Sequence, residues 1–191
     1  MFDTLDAIRD DAAQRLARAA SDRRSPMHTP VVATADADLR VMVLRAFTES
    51  AWSLRFHTDT RAPKVATVRE QPQVGVLFYD KAQKVQLRCR GVARIEPDSA
   101  TAQAAWEAGS NFARRCYLGD GPGTVKQGAA SGLPDVFEGH EPPDEELVPA
   151  RANFAVLMVE IERLDWLYLA HDGHRRAQFD LATGESRWVT P

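Results

Sequence analysis

The sequence lacks the features that mark several common function classes. It has only two cysteines, Cys89 and Cys116, in 191 residues. Two isolated thiols cannot build a disulfide framework, and they do not have the spacing of a zinc site. A reducing compartment suits them better. No run of about 18 apolar residues occurs, so no transmembrane helix is expected. The N-terminus carries Asp3, Asp6, Asp10 and Asp11 where a secretory signal needs an apolar core. The expectation is a soluble, cytoplasmic protein. The net charge of −3 gives no bulk attraction for nucleic acid or a membrane surface. Glycine-rich phosphate fingerprints, HExxH and nucleophile-elbow motifs are all missing. The five histidines offer no ligand spacing better than His171-x-x-His174, so no metal is expected.

What is present is a β-rich chain with an apolar content of 44%. That is enough to bury a core, and the length suits a single domain, 1–191. Leu5, Ile8, Ala12, Leu16 and Ala19 recur at helical spacing, with acids early and Arg15 and Arg18 late. They predict an N-terminal helix within residues 1–24, ended by Arg23-Arg24-Ser25-Pro26. Strands are predicted at Val31–Ala33, Leu39–Phe47, Trp52–Thr58, Val74–Tyr79 and Val85–Ile95. Their polar links are short, which makes neighbours antiparallel. A helix is predicted over Pro63–Glu70, proline being tolerated in a first turn. Ser99 reads as the N-cap of a further helix running to about Asn111. Residues 117–149 hold six glycines and five prolines and form a long loop, either lining a site or without order. Strands resume at Phe154–Ile161, Trp166–Leu169, Gln178–Leu181 and Arg187–Val189, with a turn at Thr183-Gly184. The fold class is mainly β, an antiparallel barrel with peripheral α-helices; closure would remove the exposed strand edges.

Two runs concentrate the candidate chemistry. In Arg40-Val41-Met42-Val43-Leu44-Arg45, alternation puts Arg40, Met42 and Leu44 on one face and Val41, Val43 and Arg45 on the other. The two arginines could flank one ligand only if the strand ran beneath it or a second subunit closed the site. In the run from Phe56 to Lys64, His57 and Thr58 end a strand and Lys64 begins a helix. A helix start presents free N–H groups and a favourable dipole to phosphate, and Arg61 and Lys64 add full charges. Each feature alone is more commonly a solvated surface. Gln86 shares a polar strand face with Arg88 and Arg90, and its carboxamide could serve the edge of a ring that both donates and accepts. Trp166 and the basic run His174-Arg175-Arg176 are further candidates, though a tryptophan is more commonly core.

Taken in order from about Leu39 to Pro191, these residues resemble the pyridoxamine 5'-phosphate oxidase family of FMN-binding split barrels. The Arg40–Arg45 run is similar to the family's flavin-holding strand, which implies FMN contacts from Arg40, Val41, Met42 and Val43. Arg45 stands where the family has a lysine facing the substrate phosphate. Phe56-His57-Thr58 resembles the family's aromatic-Tyr-Thr segment, with His57 in the tyrosine's place. Lys64 falls on a phosphate-binding lysine, and Arg61 stands in for the arginine that Pro63 replaces. Gln86, five residues before Gly91, falls on a flavin-contacting glutamine, and Gln127 on a second. Trp166 and Arg176 match a Trp/Arg pair used at the flavin. Arg114 falls on a substrate-phosphate arginine, beside Arg115, and Leu118 stands where the family has a hydroxyl. The family's Arg-x-His signature here reads Asp172-Gly173-His174. An acid at that place argues against pyridoxamine phosphate as the substrate.

The resemblance implies a split β-barrel that is an FMN-dependent oxidoreductase. Hydride would pass between a small substrate, phosphorylated or not, and flavin N5. It implies a homodimer with FMN at its interface and Arg45 and His174 facing the substrate. The alternative is a non-catalytic flavin- or haem-binding protein of the same fold.

Overall fold

The computed structural model describes residues 3–171 and 173–191. The chain divides into two compact units. The first comprises Met1–Phe56, Gln71–Arg94 and Met158–Pro191, and the second comprises His57–Glu70 and Ile95–Leu157.

The first unit opens with α1 (Leu5–Ser21). The Thr4 hydroxyl caps it by accepting from the Ala7 N–H at 3.2 Å, a contribution of about 1 kcal/mol. Its apolar stripe, Ile8, Ala12, Ala13, Leu16 and Ala19, is buried. Arg15 fastens its outer side, donating to Asp11 at 2.7 Å and lying 3.6 Å from Asp80. The strands are β1 (Val31–Ala33), β2 (Leu39–Val41), β3 (Ala46–Thr48), β4 (Ser53–Asp59), β5 (Gln73–Asp80), β6 (Val85–Glu96), β7 (Phe154–Tyr168), β8 (Arg175–Asp180) and β9 (Ser186–Val189). They form one sheet in the order β2-β1-β5-β6-β7-β4-β3, with β8 paired to β7 and β9 to β8. The β1–β2, β1–β5, β3–β4, β5–β6, β7–β8 and β8–β9 pairings are antiparallel. The path starts at β2 and finishes at β3, so the sheet is open where closure was expected.

Gly91 sets how closely β6 and β7 approach. A Cβ placed there would lie 1.9 Å from the Glu160 carbonyl oxygen, so no side chain fits. The core face of this unit holds Leu44, Leu54, Phe56, Phe78, Leu87, Leu164 and Trp166, all fully or almost fully buried. Cys89 shares it, and burial pushes its thiol up to about 12.

The second unit contains α2 (Pro63–Glu70), α3 (Ala100–Glu107), α4 (Asn111–Arg114) and α5 (Asp144–Leu147). An aromatic cluster centres on Phe154. Its ring meets His57 at 5.0 Å, Tyr117 at 5.1 Å and Trp106 at 5.4 Å between centroids, edge-on or tilted as ring quadrupoles favour. Ser99 caps α3 through the Ala102 N–H.

Three sequence expectations need correction. The strand expected over Leu39–Phe47 is broken between Val41 and Ala46. There the Met42 and Leu44 N–H groups donate to the Pro30 and His28 carbonyls, and the Arg45 N–H donates to Arg55. The helix expected to reach Asn111 stops at Glu107, and Ser110 caps the separate α4. The two strands expected at 154–161 and 166–169 are one strand of 15 residues. Within the 117–149 loop, Asp135–Phe137 and Asp144–Leu147 form short helical turns.

Candidate functional site

Each unit holds part of the candidate set. In the second unit, β4 ends at Asp59 and a tight turn leads into α2. Asp59 is the organiser. Its buried carboxylate accepts from the Arg61 N–H at 2.8 Å, from Nε at 2.9 Å and from Nη2 at 2.7 Å. Arg61 also donates to the Gly119 carbonyl at 3.0 Å, and the Asp59 carboxylate raises its pKa. Arg61 therefore has its charge met inside the protein and ties the loop to the turn. Thr58 is buried and its hydroxyl reaches the Asp59 carbonyl at 3.4 Å. Lys64 is half-buried in the first turn of α2. A Cβ at Gly121 would meet Arg61 at 3.3 Å, and one at Gly123 would meet Pro63 at 3.4 Å. These two glycines let the loop cover the approach to α2. Gln127, further along the same loop, is exposed. Arg114 is spent on structure, donating to the Trp106 and Glu107 carbonyls at 2.8 and 2.7 Å.

In the first unit, Arg40 lies on β2. It is ion-paired with Asp38 and donates to the Thr34 hydroxyl at 3.0 Å. Met42 and Leu44 are buried, Val43 is half-buried, and Val41 and Arg45 are exposed. The alternation of faces thus continues through the irregular stretch. Arg45 leads to a residue that sequence reasoning passed over. Its neighbour Arg55 is half-buried, with an Nε that is shielded from solvent and has no hydrogen-bond partner. Among the described residues Arg55 forms no ion pair. Burial, and then the like charge of Arg45, lower its pKa. An unmet buried donor beside a second cation needs an explanation. The signal in the sequence is an arginine between Leu54 and Phe56, alternating with core residues.

The C-terminal candidates separate. In the β7–β8 register, Trp166 pairs with Ala177, and Arg176 with Leu167. Trp166 and Arg176 therefore point to opposite faces of the sheet. Trp166 is completely buried, and its indole N–H donates to Asp11 at 3.4 Å. It is a core residue, with no surface to offer a ring in this chain. Arg176 donates to Asp165 through Nε at 3.0 Å and Nη2 at 2.7 Å. Asp165 also accepts from Arg88 and from the Gln178 carboxamide, both at 2.9 Å. Burial works to raise the pKa of Asp165, but the hydrogen bonds from Arg176, Gln178 and Arg88 together hold it below the ordinary carboxylate value. This hub was also missed. Its signal was an acid between Leu164 and Trp166, but its partners are scattered along the chain. Gln86 is half-buried on β6, opposite Tyr79. His174 is exposed just before β8, and Asp172 lies outside the described residues. Among the described residues no group of three or more His, Cys, Asp or Glu is placed to hold a metal ion. Among them, too, no helix is long and apolar enough to cross a membrane.

The exposed face of the sheet carries one further pattern. The ladder runs Val41–Val31–Leu77–Arg88 across β2, β1, β5 and β6. It resumes as Asp165–Gln178–Arg187 across β7, β8 and β9, with Arg88 bonded to Asp165. Leu39, Val41, Leu77 and Tyr79 are 63%, 65%, 39% and 42% exposed on the first half of this face. The second half forms a cleft of about 750 Å³ lined by charged groups.

Comparison with known proteins bears on this geometry. Residues 11–97 match the family model for the pyridoxamine 5'-phosphate oxidase, FMN-binding domain, so the family resemblance extends from α1 through β6. No curated protein gives a significant match. Among solved structures, a pyridoxamine 5'-phosphate oxidase-related, FMN binding protein from Nostoc punctiforme superposes with a TM-score of 0.74 at 24% identity, covering 98% of this chain and 100% of that one. PhzG from Burkholderia lata, solved with tetrahydrophenazine-1-carboxylic acid, gives 0.67 at 16% identity, covering 99% and 98%. A Clostridium acetobutylicum protein related to general stress protein 26 gives 0.59 at 12%, covering 95% and 100%. These likenesses establish the fold.

Proposed function

We propose that this chain, whose residues 11–97 match an FMN-binding family, is an FMN-dependent oxidoreductase built as a split barrel. The observation that carries the reading is the β4–turn–α2 element, which lies inside the matched stretch. The Lys64 ammonium and the dipole at the start of α2 have the chemistry to hold a phosphate, with Thr58, whose hydroxyl reaches the Asp59 carbonyl, at the end of β4 beside them. Arg61 shapes this turn through Asp59. In this reading Arg40 contacts the tail and Gln86 the edge of the ring, with the Val41–Val43 backbone alongside; the register puts Arg40 and Gln86 on opposite faces of the sheet, so the reading needs a second protomer to complete the site. Bound flavin supplies a two-electron acceptor or donor at N5, so the reaction class is hydride transfer.

Arg45 and His174 face the substrate, with His174 orienting or protonating it. Arg55 adds a second uncompensated charge beside Arg45, so the substrate carries an anionic group, phosphate or carboxylate. The bare apolar half of the sheet face supports a homodimer, because adjacent exposed side chains of this size mark an interaction surface. Two cysteines outside any disulfide suit a reducing, cytoplasmic setting.

The test is the absorbance spectrum of freshly purified protein, followed by FMN titration read by fluorescence quenching. Flavin bands, or tight FMN binding that Arg40→Ala/Lys64→Ala abolishes, are the expected result. A Soret band would move the protein to the haem-binding alternative. A colourless protein with no response to FMN would sink the oxidoreductase reading.

A further inference from the structure

We infer that residues 119–132 form a strap that Arg61 latches across the start of α2, and that this strap gates entry and exit of the phosphate-bearing ligand. The inference rests on the reading of α2 as the phosphate site. Strap, latch and α2 all belong to the second unit.

The strap is pinched at its base. The Asp120 N–H donates to the Gly132 carbonyl at 2.9 Å, and a Cβ at Gly119 would lie 2.8 Å from that same oxygen. Touching ends make it an Ω-type loop. Its latch is one nitrogen. Asp59 holds the Arg61 guanidinium through Nε and Nη2, at 2.9 and 2.7 Å. Nη1 is left to donate to the Gly119 carbonyl at 3.0 Å. Past that bond the strap lies against the turn. A Cβ at Gly121 would be 3.3 Å from Arg61, and one at Gly123 would be 3.4 Å from Pro63, the first residue of α2. Lys64, which holds the phosphate in this reading, comes next.

The rest of the strap stands in water. Every residue from Pro122 to Ser131 is exposed, Val125 by 93%. Thr124, Lys126 and Ser131 bond to Gly121, Asp120 and Glu138, all inside the 117–149 loop. A segment that buries so little apolar surface opens at low free-energy cost. The Arg61 latch and the two glycine contacts therefore set how often it is open.

A gate has a kinetic signature. The latch is made of the protein's own groups and closes over an empty or a loaded site alike. Opening then precedes both entry and exit, so a change that favours opening speeds both by one factor and leaves affinity unchanged. Loss of a direct ligand contact appears instead mainly in dissociation, and affinity falls with it.

The experiment is stopped-flow FMN binding to the full chain, read by flavin fluorescence, with a graded wedge under the strap. Gly121 has no positive φ, so a side chain there adds bulk without backbone strain. Gly121→Ala should raise both rates about twofold and Gly121→Val about fivefold, the worth of one hydrogen bond, with Kd constant within about twofold. Gly128→Val, on the same strap with nothing within 4 Å of its Cβ, should change neither rate. Faster dissociation without faster association would overturn the gate, as would equal acceleration in Gly128→Val. Circular dichroism checks each fold, and Gly121→Ala carries the test if Gly121→Val misfolds. Trypsin supplies a readout without flavin, because Lys126 is the only lysine or arginine between Arg115 and Arg151. Cleavage after Lys126 should be faster in the Gly121 variants than in the parent or Gly128→Val, and equal rates would overturn the strap. If FMN binds none of the proteins while trypsin still separates them, the oxidoreductase reading falls and the strap stands.

Discussion

One sheet face carries two chemically opposite halves. On β2, β1 and β5 the outward residues are Leu39, Val41, Val31, Leu77 and Tyr79, and nothing in the first unit covers the exposed ones. On β6 to β9 they are Arg88, Asp165, Arg176, Gln178 and Arg187, bonded to one another across four strands. The backbone ladder is continuous through both, so register alone decides which side chains meet. The charged half completes most of its contacts internally. The apolar half cannot, because apolar surface is stabilised only by leaving water. The same geometry therefore leaves one half with most of its charges paired and the other with apolar side chains in water.

The largest effect should come from attacking the apolar half. Val41→Asp/Leu77→Asp should convert the proposed homodimer to a monomer in sedimentation velocity, while the isolated fold remains intact by circular dichroism. A dimer that survives both charges would place the interface elsewhere.

A smaller effect is expected in the charged half. Asp165→Asn keeps the shape but removes the charge that holds Arg88 and Arg176. It should cost about 1–3 kcal/mol in urea unfolding. Leu77→Ala, by contrast, should stay within about 0.5 kcal/mol in the monomeric background, as exposed positions do. Equal costs at the two sites would erase the contrast.

The smallest effect is in pH dependence. The folded pKa of Asp165 is depressed, so its contribution is fully present above the ordinary aspartate value of about 3.9. It is lost as pH falls from there through the depressed folded value. Urea midpoints should fall over that window in the parent protein, and less steeply in Asp165→Asn. Parallel profiles would mean that the hub contributes no charge-dependent stability.

Local chemistry was legible in the sequence and distant pairing was not. The Pro63–Glu70 helix follows from proline in a first turn, and the Ser99 cap from its side chain. The FMN-binding family match likewise begins in the predicted first helix and covers both candidate runs. By contrast, Leu39–Phe47 reads as one strand because its alternation is unbroken. Only the carbonyls of His28 and Pro30 reveal that Met42 and Leu44 bond outside the ladder. Glu162-Arg163 reads as a break, yet pairing with β8 carries β7 straight through it. The family resemblance makes Trp166 and Arg176 a pair, but register sends them to opposite faces. The Asp165 hub joins residues 77, 11 and 13 positions away, beyond any local pattern.

Gly91 has a consequence for how this sequence can vary. Its missing Cβ would strike a backbone oxygen, not a neighbour that could swing aside. The first carbon of any replacement meets that obstacle before size, charge or polarity can matter. Position 91 should thus refuse alanine as firmly as tryptophan. Gly75 on the adjoining strand, with its nearest neighbour at 3.9 Å, should grade replacements by bulk. Two glycines within one sheet thus limit the sequence differently, one admitting no side chain and the other admitting small ones.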